Sequence, residues 1–416
     1  MRFLGGLFGS NRKVFVEQAV DMLRAMNSVA SVESDAEALQ ISYWTHDGMH
    51  GRIDLTTVYR RCRRASAADA GRMLAEFMSI SPQNGRADRS GGAERISGWA
   101  EIAPLLRPVV RQAGGLDQRF DGERIADHTV WRPVLPYLTE TIVIDRPTSM
   151  ESVNPQHLAE WGVDADTAFA TARTNLAASA FDTLAAYDPG SKAGMLHIPD
   201  MSGDLYAGSL PLVDGWLSGI GAKAGARPIV FIAQNVGVLI GVEFSEEHVV
   251  RLVEMARRLY DDAVRPVSPM PYTVDEAGRL VPYLVARDHR AWREITAAES
   301  TLAAQVYGSQ YEHLRADLDD YLTEDRAAQL MHVRRPDGVE STIAPWTNTV
   351  ATLLPRVHMV TLTDVDTGET FGVGWEALAA EVDLRPVPGV YPPRYRVEYH
   401  PDAEAMARLR AVAALR

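Results

Sequence analysis

Two apolar runs, PIVFIAQ from Pro228 and GVLIGVEF from Gly237, stand either side of Asn235-Val236 and read as the two strands of a hairpin. Ser245 follows as the cap of a helix that turns Val249, Leu252, Val253, Ala256 and Leu259 inward. A helix laid on a hairpin is an α+β layer, and this segment fixes the class of the chain. The same segment excludes a membrane span. Gln234 and Asn235 interrupt it, and it falls short of the ~20 apolar residues such a helix needs. With 416 residues, and domains of about 100–200 residues, the expected fold is α+β in two to three modules. Helices pack there on antiparallel or mixed, hairpin-rich sheets.

The first module spans residues 1–80. A helix carries Val14, Phe15, Ala19, Met22 and Leu23 on one face, and strands LQISYW and GRIDL flank the turn-forming HDGMHG. Two further helices follow, one from Leu55 and one over Ala67–Met78. Residues 81–98, rich in Gly, Ser and Arg, lack the apolar surface to order themselves and read as a linker or long loop. The central module, 99–283, opens with a helix through Ile102, Leu105, Leu106 and Val109, interrupted by Pro104 and Pro108. The strand TIVID comes next. Asn154-Pro155 then starts a short helix ended by Gly162, and Asp164 caps a longer one. The C-terminal α+β module, 284–416, begins with a long amphipathic helix and continues through hairpins at Pro336-Asp337-Gly338 and Asp366-Thr367-Gly368. It closes with the strand RYRVEY and a helix from Asp402.

Four segments carry a family resemblance: WRPVLPYLTETIVIDRPTSMESVNPQHLAEWGVDADTAFATARTNL from Trp131, DLTTVYRRCRRASAADAGRMLAEF, PLLRPVVR, and the hairpin-helix run from Pro228 to Pro269. Over about residues 14–283 the chain resembles the YtpQ-like family of bacterial cytoplasmic proteins, a domain of unknown function. The resemblance implies a fold and a cytoplasmic setting, with PLLRPVVR as a proline-containing helix. It brings no catalytic residue to this chain.

The net charge of −13 argues against nucleic acid and anionic membrane, which both demand a positive surface. The start, MRFLGGLFGSNRK, has too short an apolar run and no small-residue cleavage site for a secretory signal. One cysteine, Cys62, permits no intramolecular disulfide and falls on an apolar helical stripe, as a buried thiol would. The expected compartment is the cytoplasm.

The glycines Gly219, Gly221 and Gly225 follow a helix and precede a strand, the reverse of a dinucleotide fingerprint, so they read as a helix-to-strand connection. Asp364, Asp366 and Glu369 imitate a calcium loop, but its twelfth position is Trp375 instead of glutamate. No Walker A loop, paired-histidine zinc motif or nucleophile elbow occurs, and no cofactor is expected. Three groups remain as candidates. His46, Asp47 and His50 cluster at a hairpin tip, where a solvated turn competes with metal ligation. Arg60, Arg61, Arg63 and Arg64 form the one dense basic run, either a solvated helical face or a contact for a phosphate-bearing ligand or acidic protein surface. Asp145, Arg146 and Ser149 lie just past a strand, where binding residues collect. The resulting expectation is a non-catalytic protein that binds another protein or a small anionic ligand. The alternative is an enzyme of hydrolase type acting on a phosphorylated or acidic substrate.

Overall fold

The computed structural model describes residues 12–26, 29–46, 50–55, 58–59, 62, 70–71, 73–75, 77–78, 98–120, 123–146, 150–190, 195–200, 205–235, 237–263, 265–320 and 325–413. They form an α+β structure of helices on antiparallel and mixed sheets. Among them no helix is long and apolar enough to cross a membrane.

At the N-terminal end, the helix Arg12–Arg24 buries Phe15, Val16, Ala19, Val20 and Leu23 against a three-stranded antiparallel sheet, Val29–Asp35, Gln40–Thr45 and His50–Asp54. The last two strands are those expected from the sequence. The first was not expected, because its residues are almost all exposed and show no apolar alternation. Cys62 belongs to this core. It is 2% exposed, and its thiol donates to the Ala70 carbonyl at 3.4 Å.

The expected helix through Leu105 and Val109 is a strand. Helix persists only over Trp99–Ile102, a 3-10 turn covers Ala103–Leu105, and Leu106–Gln112 runs extended beside Leu138–Asp145. The two prolines explain the change. Pro104 and Pro108 each remove a helical hydrogen bond, while an edge strand tolerates Pro108 and favours Val109-Val110. The same hairpin sheet takes in Trp131–Leu135 and Met150–Ser152. Helix Ala165–Ala186, capped by Asp164, packs on it. Wholly buried Glu140 joins the two layers, accepting from Arg173 Nε and Nη2 at 2.8 and 2.6 Å and from Arg132 Nε at 2.8 Å.

Pro228–Gln234 and Gly237–Val242 pair as expected and form the middle of a five-stranded sheet. Alternate residues divide the sheet's two faces. Ile229, Phe231 and Leu239 meet the helix Glu246–Asp261, whereas Val230, Ile232 and Ile240 enter the largest apolar cluster. The glycine run is helical over Trp216–Ala224 and reaches its strand through left-handed Gly225. A Cβ on Gly219 would fall 2.6 Å from Leu184 Cδ2, so close helix packing, not phosphate binding, explains that residue.

Helix Trp292–Asp320 leads into two four-stranded sheets. One contains Glu340–Thr347 parallel to Met359–Thr363, flanked by Met331–Arg334 and Thr370–Gly374. The other contains Thr352–Pro355 beside Arg394–Val397. The largest apolar cluster runs from Val109 through Trp216 and Val306 to Leu409, joining residues of the hairpin sheet, the five-stranded sheet and the C-terminal sheets.

Candidate functional site

A cavity of about 310 Å³ opens where the long helix, the C-terminal mixed sheet and one turn of the central hairpin meet. Four local features build it. Helix Trp292–Asp320 contributes Glu299 and, one turn later, Ala303. The parallel register that sets Ile343 opposite Met359 brings Thr342 beside His358. Helix Trp375–Glu381 begins at the wall, with Trp375 and Glu376 at its first positions. Tyr137 enters from the turn between Trp131–Leu135 and Leu138–Asp145.

Tyr137 holds φ at +67°, a left-handed conformation that costs a non-glycine residue about 1–2 kcal/mol. Its carbonyl accepts from Ala113 N–H at 2.9 Å, and its ring meets Tyr307 edge-on at 6.0 Å. Burial, with nearby Glu299 adding to it, pushes the phenol well above its ordinary pKa, so the hydroxyl keeps its proton.

The hydrogen bonds around His358 assign its tautomer. Thr342 N–H donates to Nδ1 at 3.1 Å, and the Thr342 hydroxyl, which accepts from His358 N–H at 3.0 Å, lies 3.0 Å from the same nitrogen. Nδ1 is therefore a proton-free acceptor, and the neutral ring carries its hydrogen on Nε2. That nitrogen faces Glu299 Oε2 at 3.9 Å. Burial lowers the His358 pKa. Glu299 opposes the shift, and Arg335 and His332 reinforce it. At neutral pH His358 is thus a fixed N–H donor. It has no free lone pair at Nε2 with which to act as a base, whereas Glu299 beside it can accept a proton. A carboxylate next to a neutral imidazole N–H binds a ligand with one donor and one acceptor, and the same pairing polarises a carbonyl while a proton is removed nearby.

The mouth is polar. Arg356 pairs with exposed Glu376 at 3.3 Å, and its backbone N–H donates to the Tyr307 hydroxyl at 3.2 Å. The inner wall is apolar, with Ala303, Val357 and Trp375 all buried.

None of the described candidates read from the sequence, Asp145, Arg146, His46 and His50, is among the residues that line this cavity. Asp145 ends the strand that Tyr137 precedes, roughly 25 Å away along extended chain. Its carboxylate lies near the Tyr206 hydroxyl and helps to raise that phenol's pKa, which burial raises most. The Tyr206 hydroxyl itself is buried and makes no hydrogen bond of good geometry. Arg146 is engaged with Glu151 at 2.8 Å, and His157 approaches the other oxygen of that carboxylate at 3.4 Å. His46 is exposed just past the strand Gln40–Thr45, and His50 opens the next strand opposite Trp44. Arg60, Arg61, Arg63, Arg64, Asp47 and Ser149 lie outside the described residues. Among the described residues no group of three or more His, Cys, Asp or Glu side chains is placed to hold a metal.

The cavity residues carry little signal in the sequence, since Tyr137, Glu299, Thr342 and His358 are single polar residues on separate elements. None of the family models, curated proteins or solved structures compared with the chain matches it.

Proposed function

We propose that this chain binds a small polar molecule in the cavity between Tyr137 and His358. One observation carries the reading: the Tyr137 hydroxyl and the Glu299 carboxylate form no hydrogen bond among the described residues, and both line the cavity that His358 faces with its Nε2–H. The Glu299 and His358 side chains are each about a third exposed, so solvent reaches them, and a recess that gathers an acceptor and two donors over an apolar wall suits a ligand offering the complementary groups. The volume of about 310 Å³ lies at the small end of ligand sites.

The small-ligand expectation gains a further candidate place, assembled from the central hairpin and the C-terminal sheet, while the arginine run lies outside the described residues. Kinship with the YtpQ-like proteins, and with it a bacterial cytoplasmic setting, is proposed on the segments quoted above. The buried unpaired thiol of Cys62 supports a reducing compartment.

A polar small-molecule library, screened by ligand-observed NMR against wild type and Ala303→Phe, tests the binding reading. The new ring fills the inner wall while Glu299 and His358 stay in place. Compounds that bind wild type and lose binding in the variant are expected, with the variant's circular dichroism unchanged. A library with no compound sensitive to Ala303→Phe defeats the reading, and a Val357→Phe variant serves equally should the first fail to fold.

A further inference from the structure

We propose that the ligand of this cavity is a small amino acid or an amine of the same build, with an ammonium group one or two bonds from a carboxylate or carbonyl. The inference rests on the cavity being a ligand site and adds the charge pattern of what enters it.

Glu299 is set into the wall on the long helix, its side chain 34% exposed, and among the described residues the one ion-pairing group within 4 Å is His358 at 3.9 Å. His358 does not neutralise it, because the ring is held neutral by the Thr342 N–H aimed at Nδ1. The cations nearby are engaged elsewhere, Arg356 with Glu376 at 3.3 Å and Arg335 with Asp337 at 3.1 Å. A half-enclosed carboxylate without a cation attracts one, and an ammonium offers both charge and N–H donors. Trp375 and Tyr137 line the same space, and aromatic walls favour a cation.

The acceptor half follows from His358. Its Nε2–H is a fixed donor, unable to swap roles while Nδ1 accepts, and the Tyr137 hydroxyl retains its proton as a second donor. Both need an acceptor beside the group that binds Glu299. A ligand that satisfies Oε2 and Nε2–H together carries its donor and acceptor side by side, as an α-amino acid does. Ala303 and Val357 leave room for a short apolar side chain.

Isothermal titration calorimetry at pH 7 with three matched sets tests the class: alanine, serine and leucine; their hydroxy-acid counterparts lactate, glycerate and 2-hydroxyisocaproate; and the amines ethylamine, ethanolamine and isopentylamine. At least one amino acid is expected to bind, with its hydroxy acid weaker by about 10-fold or more, the worth of one charge-assisted hydrogen bond. Glu299→Gln is expected to remove that preference and His358→Phe to weaken amino acid and hydroxy acid alike. Equal binding of hydroxy acids, or amino-acid affinity unchanged in Glu299→Gln, overturns the charge assignment and leaves the cavity reading standing. Silence from all three sets also overturns the class, while the library screen with Ala303→Phe decides the cavity separately.

Discussion

Arg394 offers the sharpest quantitative test of how the C-terminal sheets are held. It is wholly buried in the strand Arg394–Val397, and among the described residues no carboxylate accepts a hydrogen bond from it. Its Nε donates to Gln310 Oε1 at 2.7 Å, Nη1 to the carbonyls of Ala328 at 2.7 Å and Leu353 at 3.0 Å, and Nη2 to the Tyr307 carbonyl at 3.4 Å. Burial brings the guanidinium down to about 10 from its ordinary 12.5. At 1.36 kcal/mol per pKa unit, keeping the group charged in the fold costs about 3 kcal/mol. Arg394→Met relieves that cost while filling most of the space. It leaves the Ala328 carbonyl and Gln310 Oε1 without this donor, at about 1–3 kcal/mol each. The Leu353 carbonyl keeps a bond from Ala328 N–H at 3.1 Å. The net effect for Met therefore runs from a gain of about 1 kcal/mol to a loss of about 3 kcal/mol. Arg394→Ala orphans the same acceptors and opens a cavity in addition, for a further loss of about 2–5 kcal/mol. Guanidinium denaturation followed by tryptophan fluorescence measures both, since Trp346 and Trp375 lie in this region. Met variants that lose as much as Ala variants would refute the bookkeeping, because the charge would then contribute net stability through its hydrogen bonds.

Acid should weaken the fold above the range where carboxylates titrate. His248 and His358 both have pKa values lowered first by burial, so the native state holds them neutral while the unfolded chain takes up protons near pH 6.5. The unfolded state binds more protons as pH falls below that point, and stability drops at up to about 1.4 kcal/mol per pH unit for buried His248, less for half-exposed His358. Urea midpoints at pH 7.5 and 5.5 read the effect, and a flat profile contradicts it. Cys62 is expected to resist alkylation in the native protein, since burial raises its thiol pKa and Ala70 holds the proton. Stoichiometric labelling within seconds under native conditions would show instead that its helix opens readily.

Legibility followed locality. Asn154 closes its capping box with His157, Ser245 accepts from His248 N–H at 3.1 Å, and Asp402 accepts from Ala405 N–H at 2.9 Å, each a contact three residues long and readable as such. Gly338 and Gly368 take the left-handed turns their Pro-Asp-Gly and Asp-x-Gly settings imply. Misreading began where two local rules competed. In PLLRPVVR the apolar spacing fits a helix, and the cost of two prolines decides for a strand only once Leu138–Asp145 is there to pair with it. The strand Val29–Asp35 has no signal of its own, because its place is set by Ile41 and Tyr43 of the neighbouring strand burying against the first helix.

The cavity was hidden for a different reason. Its chemistry depends on the parallel pairing of Glu340–Thr347 with Met359–Thr363, and that register is what gives His358 a backbone donor at Nδ1. A histidine in RVHMV carries no mark of which nitrogen will hold the proton. The backbone supplies the more general clue. Three described non-glycine residues adopt positive φ: Leu39, Tyr137 and Tyr206. Leu39 is fully buried in the N-terminal core, so apolar packing alone offsets its strain. Tyr137 and Tyr206 also bury their rings, yet among the described residues the Tyr137 hydroxyl, in the cavity, has no hydrogen-bond partner, and the Tyr206 hydroxyl has only the nearby Asp145 carboxylate, without good geometry. Packing alone would be served as well by phenylalanine at either position. A tyrosine held at positive φ carries backbone strain whatever its hydroxyl does, and strain of that kind collects where the residue has a use outside the fold.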